Sequence, residues 1–165
     1  MSVVAARVYS DRIEVAADSI IILGDMKRTG TFSKLEQVND MIIGSVGFSE
    51  EISLMWQFAK THKPESATER DVREFMIEFM KWKKELCGKS DIENDYIIAY
   101  QGSLFDVEGM FVNPVYDYVA IGAGMYFATA ALYLSQSPRD AVKVACDLSC
   151  DVAEPIVAYE MKLES

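Results

Sequence analysis

Histidine is almost missing from this chain, with His62 the only one among 165 residues. A Ser-His-Asp triad therefore has one candidate base, and His62 lies in a polar stretch between Lys60 and Pro64, where it reads as a surface residue at a helix end. Cysteine is scarce as well. Cys87, Cys146 and Cys150 form an odd, sparse set, which argues against a disulfide framework and suits a reducing compartment, so the expected location is cytoplasmic. Cys146 and Cys150 stand four apart on one expected helix, but zinc wants four ligands and no second pair or histidine partner accompanies them, so they read as small core residues. Basic residues are outnumbered, 16 to 26, and the formal charge of -10 argues against a nucleic-acid partner, because phosphate binding needs basic surface. Long apolar runs are lacking too. The longest, about Tyr118 to Leu134, is interrupted by Gly122-Ala123-Gly124 and is too short for a membrane span. No signal peptide is expected.

What is present is ordinary for a globular chain. Half of the residues are apolar and a quarter charged, enough for one domain, residues 1–165, to bury a core without staples. The chain is organised around Met1 to Asp18, which reads as two short strands about a polar Tyr9 to Arg12 turn and is apolar almost from its first residue. Such a start belongs inside a sheet. Removal of Met1 would leave Ser2 with a hydroxyl and a free α-amine on one carbon, a nucleophile carrying its own base.

Further along, Ser19 to Leu23 reads as a strand, followed by a polar segment through Gly30, a continuing edge strand at Phe32 to Leu35 and a fourth strand at Met41 to Val46. A helix then opens with Ser49 as its N-cap and runs to about Thr61, with Ile52, Met55, Trp56 and Ala59 on one face. A second helix is expected from Thr68 to Cys87, stopped by Gly88, its Met and Phe stripe a packing face. Asp95 to Tyr100 and Leu104 to Val112 read as a hairpin across Gly102-Ser103, with a type II′ turn. Neither strand alternates cleanly, so both faces of their sheet should be covered. Tyr118 to Ile121 is another strand, a helix follows from Met125 to about Leu134, and Ser137-Pro138 starts a last helix through Asp151 with Ala141, Val144, Ala145 and Leu148 inward. Ile156 to Met161 closes the chain as a strand. Strands, two helices, strands, two helices, strand is the order of a layered α+β sandwich rather than an alternating parallel fold. The Gly122-Ala123-Gly124 turn has the beginning of a phosphate-binding loop without its third glycine; a helix start under close backbone packing accounts for it as well.

Ser2 to Asp18, then Lys34, then Ile43-Gly44-Ser45-Val46-Gly47, and finally Ala120-Ile121-Gly122-Ala123-Gly124, resemble the proteasome β-subunit family, above all its compact HslV-like members. The resemblance spans essentially the whole chain and keeps the spacing from Ser2 to Asp18 and from Asp18 to Lys34 without a gap. It implies an N-terminal nucleophile (Ntn) hydrolase: a four-layer αββα sandwich assembled into homo-oligomeric rings around enclosed sites, acting on polypeptide substrates as a threonine-type peptidase. No cofactor and no metal is implied, and an AAA+ unfoldase is the implied partner. Ser2 would attack the peptide carbonyl. Its own amine, with an ordinary pKa of about 8, would take the proton. Lys34 would lie beside the hydroxyl and lower both pKa values, Asp18 would hold Lys34, the Gly44 amide would donate to the oxyanion, and Asp151 would match a supporting aspartate.

Taken singly, Asp18 also reads as a strand end, Lys34 as a surface charge and Gly44 as a turn; their joint spacing favours the site. Ala123 and Glu154 stand where the family usually has serines. Serine in place of threonine keeps the chemistry and loses the methyl that fixes the rotamer. A rival expectation is a catalytically silent ring subunit with an assembly or binding role. The large apolar residues of the two helices between Trp56 and Trp82 exceed what one sheet should need to cover, and this points to subunit contacts there.

Overall fold

In the computed structural model, which describes residues 1–29 and 32–164, the amino terminus enters a sheet at once. Strand β1 (Val4–Val8) pairs with β2 (Arg12–Ala17) on one side, Val4 opposite Ala17, and with β10 (Tyr118–Ile121) on the other, Val4 opposite Ile121. β11 (Val157–Lys162) completes this antiparallel sheet in the order β10-β1-β2-β11. A second antiparallel sheet runs β5 (Leu35–Val38), β6 (Met41–Val46), β7 (Asp95–Tyr100), β8 (Ser103–Glu108) and β9 (Phe111–Val115). Between them in sequence, β3 (Ile20–Leu23) and β4 (Met26–Thr29) form a separate two-stranded ribbon.

The sheets face each other, and helices cover both outer faces. Helices α1 (Ser49–Ala59) and α2 (Glu69–Cys87) lie on the five-stranded sheet, where Met55, Phe58, Phe75, Met76 and Phe79 pack on Ile43, Tyr96 and Ile98. Helices α3 (Met125–Tyr133) and α4 (Pro138–Leu148) lie on the four-stranded sheet, where Ala128, Leu132, Ala141, Val142 and Ala145 meet Val3, Ala5 and Ala16. Val4, Ala6, Val15, Leu35, Ile42 and Ile97 fill the space between the sheets. β1 therefore sends alternate residues into two different cores, which is why its sequence is apolar throughout rather than alternating. Each large side chain so buried contributes about 1.5–3 kcal/mol by leaving water. The expected four-layer αββα arrangement is the one found.

Helix ends follow the sequence with two exceptions. The Thr68 side chain accepts from Asp71 N–H, Gly88 takes the left-handed conformation at φ +77, and Ser137 caps the helix begun by Pro138. Ser49, by contrast, is not the N-cap of α1. Phe48 holds that position without a side-chain cap, since it has no polar side-chain atom, and its own N–H donates to the carboxamide of Asn94 at the start of the neighbouring strand. The last helix stops at Leu148 rather than Asp151, and its inward face is Ala141, Val142 and Ala145; Leu148 is exposed. The β7–β8 turn is Gln101-Gly102, both at positive φ, a type I′ arrangement one residue earlier than the expected type II′ turn at Gly102-Ser103. The expected strand to Val112 is two strands broken at Gly109, and the edge strand begins at Leu35 rather than Phe32. Met26 to Thr29 lies within the expected polar segment but pairs with β3 across the Gly24-Asp25 turn, local chain reversal standing in for an apolar pattern. The end of that segment, at Gly30, lies outside the described residues.

Candidate active site

β1, β2 and the start of β5 bring Ser2, Asp18 and Lys34 together at one end of the inter-sheet core. All three are buried, Asp18 completely. The Asp18 carboxylate accepts from Lys34 Nζ at 3.0 and 2.9 Å, from Val3 N–H at 2.9 Å and from Ile20 N–H at 3.4 Å. Asp18 N–H in turn donates to the Val3 carbonyl at 3.2 Å. Residue 18 is thus clamped to the strand that begins with the nucleophile candidate. Lys34 Nζ also donates to the Met1 carbonyl at 3.3 Å, and Ser2 Oγ donates to the same oxygen at 2.6 Å. A carbonyl one bond before Ser2 therefore receives a hydroxyl and an ammonium together.

Burial is the largest influence on Lys34 and lowers its pKa; the charge of Asp18 and its hydrogen bond pull the other way. Lys34 Nζ therefore gives up its proton more readily than a surface lysine would, although three hydrogen bonds hold the group in place. Cys146 on α4 senses the same charges. Its thiol is pushed up to about 11, by burial first and by the Asp18 charge second, so it is a protonated neighbour rather than a nucleophile. Its expected role as a small core residue missed this proximity, because nothing in the Cys146-Cys150 spacing points to Asp18.

The glycine turn before α3 supports the site from the other side. Gly124 N–H donates to the Ser2 carbonyl at 3.1 Å. Gly122 sits at φ +94, and a Cβ there would come within 2.3 Å of the same oxygen. Close approach to Ser2 is therefore the reason for the turn, and the phosphate-loop reading falls away. Gly122→Ala should lower stability by about 1–3 kcal/mol, as thermal unfolding would register, through forced positive φ and displacement of the Ser2 backbone.

Gly44 lies in β6 opposite Leu35 and Ile97, and a Cβ there would meet Val4 Cγ1 at 2.5 Å. Ser45 N–H donates to the Lys34 carbonyl at 2.9 Å. Since amides of a strand alternate in direction, Gly44 N–H is turned toward β7. Asp151 follows the end of α4. Among the described residues its side chain meets the Cys150 thiol at 3.9 Å, and no hydrogen bond or ion pair joins it to Ser2, Asp18 or Lys34. Its segment does approach the site, as Ser19 N–H donates to the Ala153 carbonyl at 3.3 Å. His62 stacks on Phe58 with centroids 4.1 Å apart, packed into the helix layer on the outer face of the five-stranded sheet.

A polar cluster not foreseen from the sequence lies behind β6. Glu51 and Lys83 are both buried and paired at 2.5 Å. Glu51 also accepts from Glu93 N–H at 3.1 Å, Asn94 N–H at 3.1 Å and Tyr96 OH at 2.8 Å. Burial, followed by the Glu51 charge, raises the Tyr96 pKa well above its usual range and keeps it a donor. Partners this far apart in sequence leave no spacing to read.

No protein-family model matches the sequence, nor does any curated protein sequence. Solved structures do match its fold. BPH of Thiobacillus denitrificans in complex with epoxomicin superposes with a TM-score of 0.86 at 18% identity, covering 99% of this chain and 100% of that one. A second structure of the same BPH gives 0.85 at 20% identity, covering 98% of each. Eukaryotic HslV from Trypanosoma brucei gives 0.73 at 19% identity, covering 97% of this chain and 99% of that one.

Proposed function

We propose, on the premise of an HslV-like proteasome β-subunit fold, that this protein is a peptidase whose nucleophile is Ser2 after removal of Met1. The observation that carries this reading is the buried Asp18–Lys34 pair, which is bonded both to the Val3 amide just ahead of β1 and to the carbonyl preceding Ser2. With Met1 gone, the Ser2 α-amine is the nearest base. The amine, directly or through a water, takes the hydroxyl proton as Oγ forms an ester with the substrate acyl carbon, and passes it to the departing amine nitrogen. Water then hydrolyses the ester. Lys34 supplies positive charge beside Oγ, and Asp18 keeps that charge in place. Gly44 and Asp151 are proposed as supporting positions. For Gly44 the oxyanion role requires its amide to turn from β7 toward Ser2, while its present contact with Val4 accounts for the missing side chain.

The substrates of this reading are unfolded polypeptides entering a ring chamber, with an AAA+ unfoldase as the partner class that would feed it. The apolar surface for assembly is not on the helices between Trp56 and Trp82, whose Met and Phe side chains are consumed by the core beneath them. It lies on α3 and the end of α4, where Tyr126, Tyr133, Leu134 and Leu148 are 63–75% exposed. A patch of that kind is proposed as a contact between copies.

The test uses protein of verified amino terminus. Intact mass spectrometry identifies preparations lacking Met1, and these should cleave short fluorogenic peptides, whereas protein retaining Met1 should not, because its base is acylated. Equal activity with and without Met1 would remove the amine from the mechanism. Light scattering should give a homo-oligomer of about six or more subunits; a stable monomer or dimer at micromolar concentration would remove the chamber.

A further inference from the structure

We propose that Asn94 is a positioning residue for the Ser2 site: its carboxamide locks the carboxyl end of β6 and, through Ser45, the backbone that carries Lys34. Asn94 is 1% exposed, and every polar atom of its side chain is engaged. Oδ1 accepts from Phe48 N–H at 2.6 Å, while Nδ2 donates to the Phe48 carbonyl at 3.0 Å and to Ser45 Oγ at 3.3 Å. One side chain thus holds both backbone groups of the residue after the Gly47 turn and the hydroxyl of the residue after Gly44.

The turn is built around that side chain. Gly47 sits at φ +129, and a Cβ there would fall 2.2 Å from Asn94 Oδ1. Asn94 is itself fixed by Glu51, which accepts its N–H at 3.1 Å and is neutralised by Lys83. On the other side the path is short: Asn94 to Ser45 Oγ, Ser45 N–H to the Lys34 carbonyl at 2.9 Å, and Lys34 Nζ to Asp18. Buried amides with all donors and acceptors satisfied specify one arrangement, since any other leaves a polar atom unpaired in a dry interior. The groups facing Lys34 Nζ, namely Asp18, the Met1 carbonyl and the Cys146 thiol, therefore keep their distances only while β6 ends where Asn94 holds it.

The catalytic consequence rests on the Ser2 reading; the structural link does not, and the experiment separates them. Lys34 titration is followed by NMR in full-length protein for the parent, Asn94→Ala, Ser45→Ala and the double variant, alongside thermal unfolding and peptide hydrolysis. Asn94→Ala should move the Lys34 titration upward by about 0.5 pH or more as water reaches the site. It should also cut kcat about tenfold to a hundredfold with KM changed by less than about threefold. Ser45→Ala, which cuts the route to Lys34 but keeps the hold on Phe48, should give part of the same shift, and the double variant no more than Asn94→Ala alone. A capping role confined to α1 would lower the melting temperature and leave Lys34 unmoved, and that result overturns the proposal. Should Asn94→Ala fail to fold, an unmoved Lys34 in Ser45→Ala overturns it equally. A parent without hydrolysis would count against the peptidase reading, while the titration would still decide the link.

Discussion

Ser2→Ala is expected to reduce peptide hydrolysis by roughly 10⁴-fold or more, because it removes the atom proposed to form the acyl bond. The fold should hardly notice. Ser2 Oγ has one described partner, the Met1 carbonyl at 2.6 Å, so its loss should cost less than about 1 kcal/mol in denaturant unfolding. Asp18 and Lys34 keep each other in the variant, and the glycine turn still holds the Ser2 backbone through Gly124. Steady-state assays on protein lacking Met1, matched to the parent for folding, give the comparison. Undiminished turnover in Ser2→Ala would end the assignment of the nucleophile, whatever the fold.

Lys34→Ala is expected to abolish activity too, but at a heavy cost in stability. Taken singly, Lys34 reads from the sequence as a surface charge whose truncation would leave folding intact, and the structure corrects this: Lys34 is 3% exposed and Asp18 fully buried. Removing the ammonium leaves a carboxylate in the interior with only the Val3 and Ile20 amides to offset it. Breaking a buried pair from one side typically costs about 3–5 kcal/mol. Urea unfolding should show a loss of that size, and the double variant Lys34→Met/Asp18→Asn should recover much of it by removing both charges. A loss under about 1 kcal/mol would mean that water reaches Asp18 and that the pair is not the dry site described above. The pH dependence has a definite sign. Burial lowers the folded-state pKa of Lys34, so between that pKa and the ordinary lysine range the unfolded chain holds more protons. The contribution of Lys34 to stability therefore grows as pH rises through this window, and the gain should vanish in Lys34→Ala.

What the sequence determined by itself is whatever depends on residues close together or on fixed spacing. The buried start of β1, the caps at Thr68 and Ser137, the stop at Gly88 and the pairing of strands with helices are local decisions of propensity, turn chemistry and apolar period, and they are found where the residues placed them. The fold was legible through the resemblance carried by Ser2, Asp18, Lys34 and the two glycine motifs; the β1–β2 register brings residue 18 beside the start of β1, while Lys34 reaches them from the other sheet. What only the tertiary structure decided is which charges lose their water. Lys34 looks like an edge-strand surface charge until β1, β2 and β6 close over it, and Glu51 and Lys83 look like ordinary helix-surface charges until Asn94 and Tyr96 meet them. The apolar stripe of α2 looks in excess until a five-stranded sheet absorbs it, whereas the α3 surface left open belongs to the longest apolar run of the chain. Burial depends on all the neighbours that packing brings together, and those neighbours are far apart along the chain.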